Sequence, residues 1–169
     1  PSGPIPASPR TGDLPLSFAQ ARLWFLEQLS PGTALYNIPE VTRLRMRVDP
    51  ELLQRSLDAV VQRHEALRTT LQEKDGQPWQ VIAPRVELPL STVDLSRLPA
   101  EEREAEAMRL ATIEVQKPFD LGRGPLLRVV LYRLAEDDHL LVLAVHHIVS
   151  DDWSNRIIAE ELTVFYQAL

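Results

Sequence analysis

The stretch Leu140–Val145 is the longest purely apolar run in the chain, and it ends on two adjacent histidines, His146 and His147. Six residues are far too few to cross a bilayer, so the run belongs inside a protein core. It lies in a strand-like segment, His139–Val149, rich in Leu and Val. A tight acidic link, Ala135–Asp138, joins this to a second such segment, Leu126–Leu134, and predicts a hairpin.

The rest of the chain reads as helices and strands around that pair. Ser17 and Gln20 stand at capping-box spacing, so a helix is expected from there until Pro31-Gly32 ends it. Phe18, Ala21, Arg22, Phe25 and Leu29 would share one side, and Trp24 and Phe25 are expected in the core. Ile38–Val48 reads as a strand. Asp49-Pro50 opens a second helix, with Asp as N-cap and Pro in the first turn. Its apolar face runs through Leu52, Leu53, Leu57, Val60, Val61 and Leu67. Gly76-Gln77-Pro78 predicts a turn before a short strand, Trp79–Ile82. Pro84–Leu98 reads as irregular or edge structure. Pro99–Lys117 is a helix with a mainly solvated face, and Trp153–Leu169 is a further amphipathic helix. Helices and strands alternate irregularly, which predicts an α/β fold with a mixed β-sheet flanked by helices.

Composition narrows the function classes. With 169 residues, 44% hydrophobic and 25% charged, the chain can bury a sizeable core and has the balance of a soluble globular domain. A net charge of −6 argues against a nucleic-acid partner, which calls for basic patches. There is no Cys, so disulfides and thiolate metal sites are excluded. No membrane span or signal peptide is legible, and a cytoplasmic location is expected. Residues 1–13 hold four prolines with Gly and Ser, the composition of an interdomain linker.

Along a strand, side chains alternate, so His146 and His147 are expected on opposite faces, one packed and one at a cleft. A loop follows at once and brings Asp151 back near the strand end. Histidine titrates near neutral pH, as a general base must. The plain alternative is two ordinary histidines ending a strand, with Asp151 capping the next helix. A metal site is disfavoured, because adjacent histidines on a strand diverge.

The stretch His146-His147-Ile148-Val149-Ser150-Asp151-Asp152-Trp153-Ser154 resembles the signature of nonribosomal peptide synthetase condensation domains. That signature has two His, three variable residues, Asp and Gly, then Trp-Ser. Ser17–Leu26 resembles the family's first motif, and Arg63-His64-Glu65-Ala66-Leu67-Arg68-Thr69-Thr70 its second. Phe119-Asp120-Leu121 with Gly124–Arg128 matches a further common segment. The resemblance implies a chloramphenicol acetyltransferase-like lobe over residues 14–169, the N-terminal half of a two-lobed domain whose C-terminal lobe is absent.

It also implies an amide-forming acyltransferase. Donor and acceptor thioesters arrive on the 4′-phosphopantetheine arms of upstream and downstream peptidyl carrier proteins, beside an adenylation domain, with no cofactor bound by the domain itself. His147 maps to the active-site histidine, and His146 is expected to hold the loop. Asp151 is implied to be structural, through an ion pair with an Arg, with Arg63 and Arg68 as candidates in this chain and an Arg of the absent C-terminal lobe as a third. Trp153 and Ser154 complete the motif. Asp152 departs from the family's Gly and is expected to cap the helix near Trp153. Two alternatives stand beside this reading: a non-catalytic recruitment domain of the same fold, suggested by Asp152, and a free-standing coenzyme A-dependent acyltransferase.

Overall fold

A computed structural model describes residues 14–169; the stretch 1–13, expected to be a linker, lies outside the described residues. In chain order the elements are β1 (Leu14–Pro15), α1 (Phe18–Leu29), β2 (Asn37–Leu44), α2 (Pro50–Arg63) and a 3-10 turn (Glu65–Arg68). There follow β3 (Thr69–Lys74), β4 (Gln77–Ile82), β5 (Leu90–Asp94), α3 (Ala100–Val115), β6 (Leu127–Ala135), β7 (Asp138–His146) and α4 (Asp152–Ala168).

The predicted hairpin is the centre of the molecule. β6 and β7 pair antiparallel, with Ala135 opposite Asp138 across the acidic link. β2 adds antiparallel to β7 and β5 adds parallel to β6, giving a mixed sheet in the order β2-β7-β6-β5. The two central strands are covered on both faces, and their alternation sorts the core. Leu127, Val129, Leu131, Leu141, Leu143 and Val145 face α2 and α4. Val130, Tyr132, Leu134, Leu140 and Val142 face α3, where Ala107 and Ala111 pack.

The helix starts follow the local signals. Ser17 and Gln20 close a reciprocal capping box, with Ser17 N–H donating to Gln20 Oε1 at 2.9 Å and Gln20 N–H to Ser17 Oγ at 3.2 Å. Asp49 accepts from the amides of Glu51 and Leu52 at 2.9 and 3.1 Å, with Pro50 in the first turn.

Four expectations need correction. β2 ends at Leu44 rather than Val48, and β7 at His146 rather than Val149. Residues 69–74 form a strand that the alternation did not announce; Thr69 and Leu71 point inward and the other positions are polar. The turn that creates its hairpin is Asp75-Gly76, at φ +53° and +75°, a pair of left-handed residues matched to the twist of a two-residue hairpin. Phe25 is more than half exposed and Phe18 is 99% exposed, because α1 docks through Leu23 and Trp24 instead.

Candidate active site

His146 is the last residue of β7 and has the parity of Leu140, Val142 and Ala144, so its ring turns inward. Only 1% of it is accessible. It packs edge-on against Phe119 and Tyr36, at centroid distances of 6.1 and 6.3 Å. Its Nδ1 accepts the amide proton of Ile148 at 3.1 Å, which fixes the start of the following turn. Burial, and then the charge of neighbouring His147, push its pKa down to about 4. A neutral ring accepting at Nδ1 carries its proton on Nε2. His146 thereby ties the end of β7 to the turn that follows.

His147 stands outside the strand and is exposed. Its backbone N–H donates to the Tyr36 carbonyl at 2.8 Å, anchoring it beside the start of β2. Its Nδ1 lies 2.8 Å from the Ser150 carbonyl. A carbonyl can only accept, so Nδ1 carries a proton, and in the neutral ring Nε2 is left with a lone pair. The adjacent rings thus have opposite tautomers and opposite surroundings.

Further contacts hold the turn. The Gln20 side chain donates to the Ile148 carbonyl at 3.3 Å and to Gln80 Oε1 at 3.1 Å, tying α1 to this turn and to β4. Val149 N–H returns to the His146 carbonyl at 3.1 Å. The Ser150 hydroxyl donates to Asn155 Oδ1 at 2.6 Å. Gln20, Tyr36 and Asn155 were not singled out from the sequence. Gln20 was legible only as a capping residue, and its contact with Ile148 spans 128 positions.

Asp151 is the N-cap of α4. One carboxylate oxygen accepts from Ser154 N–H at 2.8 Å and from Ser154 Oγ at 2.6 Å. The Ser154 hydroxyl, then its amide, hold the Asp151 carboxyl below the usual range. This corrects two expectations. The cap is Asp151 rather than Asp152, and the expected arginines are engaged elsewhere. Arg63 pairs with Glu161 at 3.0 Å, where His64 Nε2 also donates at 2.7 Å. Arg68 is buried and donates to the carbonyls of Val61, Gln62 and Ala83, closing the C-terminal end of α2 onto the end of β4.

Asp152 is the first helical residue of α4 and is exposed. It needs no left-handed backbone, since Asp75 is the only non-glycine with positive φ among the described residues. No hydrogen bond joins it to His147 among the described residues, and it sits where a helix N-terminus favours negative charge. Trp153 is 71% exposed, with the Arg156 guanidinium 6.0 Å from its ring centroid.

Beyond the turn, a cavity of about 320 Å³ opens between α4 and the sheet, floored by Leu141, Leu143 and Val145 and walled by Asn155, Ile158 and Leu162. Among the described residues, no group of three or more His, Asp or Glu side chains converges as metal ligands would. No helix among them is long and apolar enough to cross a membrane.

The condensation domain family model matches residues 10–169. The chain belongs to the condensation domain family. This condensation domain sequence is 48% identical over 168 residues to a linear gramicidin synthase of Brevibacillus parabrevis, covering 99% of the chain and 2% of the relative. It is 46% identical to the phosphinothricin tripeptide synthetase PhsC of Streptomyces viridochromogenes, covering 98% of the chain and 16% of the relative. The fold matches the starter condensation domain of rhizomide synthetase RzmA with a TM-score of 0.87 at 25% identity, over 94% of this chain and 38% of that one. It matches the first condensation domain of the calcium-dependent antibiotic synthetase, solved with a substrate analogue, with a TM-score of 0.83 at 29% identity, over 90% and 36%. The chain thus spans a small part of its curated relatives and little more than a third of the solved domains. Its mixed sheet with flanking helices agrees with the expected chloramphenicol acetyltransferase-like lobe.

Proposed function

We propose that this chain is the N-terminal lobe of an amide-forming condensation domain, with His147 as its catalytic residue. The observation that carries the reading is the exposed His147 ring, oriented by the Ser150 carbonyl so that Nε2 can accept a proton. An α-amino group has a pKa of roughly 7.7–8.0, so a useful fraction is neutral near physiological pH. The amine nitrogen attacks the donor thioester carbonyl, Nε2 takes its proton as the C–N bond forms, the C–S bond breaks, and the same proton passes from Nε2 to the departing phosphopantetheine thiolate. His146, Asp151 and Ser154 fix the turn and the helix start, and Trp153 belongs to the same exposed edge.

In this reading the donor and acceptor ride on carrier proteins upstream and downstream, an adenylation domain is a neighbour, and a second lobe completes the site in the cytoplasm. Residues 1–13 serve as an interdomain linker. The test uses the complete domain with two loaded carrier proteins. Amide formation that survives His147→Ala at the parent rate would refute the assignment.

A further inference from the structure

We propose that Ser150 and Asn155 form a clasp that positions His147, holding it in the tautomer that leaves Nε2 free. The inference rests on the reading of His147 as proton acceptor and names the residues that keep it competent.

Ser150 is a buried polar residue between the turn and the Asp151 cap. Its carbonyl binds His147 Nδ1 at 2.8 Å, while its hydroxyl donates to Asn155 Oδ1 at 2.6 Å. Asn155 is itself fixed in the first turn of α4, its N–H donating to the Asp151 carbonyl at 2.9 Å. The other tethers act elsewhere: Gln20 and the His146 ring both hold Ile148. Ser150 and Asn155 alone among these restrain the residue whose carbonyl faces His147.

The peptide between Ser150 and Asp151 has two faces. As it stands, it presents C=O to the ring, and Nδ1 must donate. Rotated, it would present the Asp151 N–H, and Nδ1 would have to accept. The ring proton would then sit on Nε2, where it blocks acceptance of a proton from the amine. Anchoring the Ser150 side chain to α4 opposes that rotation. Two buried or half-buried polar side chains satisfying each other also add to the rigidity of the turn.

The experiment measures long-range ¹H–¹⁵N correlations of the imidazoles in the complete domain, labelled at histidine, with His147 assigned by its Gln variant. The parent His147 is expected as the neutral Nδ1–H tautomer. Ser150→Ala and Asn155→Ala should each shift the tautomer ratio about 2- to 10-fold toward Nε2–H, the range expected for one lost hydrogen bond. Asn155→Asp retains an acceptor and should keep the parent ratio.

The same two alanine variants should lower kcat by a similar factor with KM unchanged. Should Ser150→Ala fail to fold, Asn155→Ala decides, since Ala is the best helix former at that half-buried position. Parent-like tautomer ratios in the folded alanine variants would overturn the clasp. A shifted tautomer with undiminished turnover would instead count against His147 as proton acceptor.

Discussion

His146 Nδ1 accepts a proton from the Ile148 amide while His147 Nδ1 donates one to the Ser150 carbonyl, so two neighbouring imidazoles in one sequence motif work in opposite senses. One ring is a buried strut and the other is exposed. His147→Ala in the complete domain should therefore lower amide formation by about 10²–10⁴-fold and leave thermal melting close to the parent. His146→Ala should lower the melting temperature first. Parallel assays of melting and product formation separate the two.

Burial of His146 makes stability depend on pH. Its folded pKa is pushed down to about 4, so between the unfolded value near 6.5 and that figure the unfolded chain binds more protons. Stability is full above about pH 6.5 and is lost as pH falls toward 4, by up to ~3 kcal/mol for a shift of this size. His139, whose pKa burial also lowers, acts in the same direction. Denaturant melts at pH 7 and pH 5 should show the loss, and His146→Asn should reduce it. Equal midpoints at both pH values would contradict this.

Asp152→Gly should leave amide formation within a few-fold. The carboxylate makes no hydrogen bond to His147 among the described residues, and the backbone is helical. Gly at a helical position and the loss of a favourable charge at the N-terminus together cost about 1 kcal/mol. A large gain in turnover would show that Asp152 suppresses the site.

Gly124 is required by its backbone. It has φ +56°, and a Cβ there would lie 2.8 Å from Thr70 Cγ2. Gly124→Ala should destabilise the chain by about 1–3 kcal/mol, read from the shift in denaturation midpoint. Thr70→Ser in the same background, which removes the crowding methyl, should recover part of the loss.

The 169-residue chain by itself should form no amide bond from loaded carriers, since positioning both thioesters supplies much of the rate. It should bind a hydrophobic dye, because Phe18, Leu35 and Trp153 are 99%, 75% and 71% exposed. Turnover by the isolated chain would defeat the first expectation, and an absence of dye binding the second.

Much of the scaffold was legible because its signals are local. Ser17 with Gln20, and Asp49 with Pro50, satisfy helix amides within one turn, whatever lies beyond. The apolar run Leu140–Val145 declared the central strand and alternation gave the inward parity of His146, while His147 lies past the strand end, where the turn orients it. The strand Thr69–Lys74 escaped because only two of its six residues point inward, and because the turn is expected at Gly76-Gln77-Pro78 although the Asp75-Gly76 pair that closes the hairpin is itself a turn signal.

The partners of the site residues were a different matter. The sequence by itself determined that a histidine pair follows the apolar run of the core strand, that an acidic residue caps the next helix, and that the chain carries the family's ordered motifs. It named residues able to pair but could not rank distant partners, because ion pairs and side-chain contacts depend on how helices dock. Only the tertiary structure decided that Arg63 meets Glu161 and Arg68 meets carbonyls, that α1 half-buries Trp24 while exposing Phe25, and that Gln20 reaches Ile148. An amphipathic pattern fixes which side of a helix can be buried. The packing of sheet against helix sets the last few ångströms, and hydrogen bonds form only within that range.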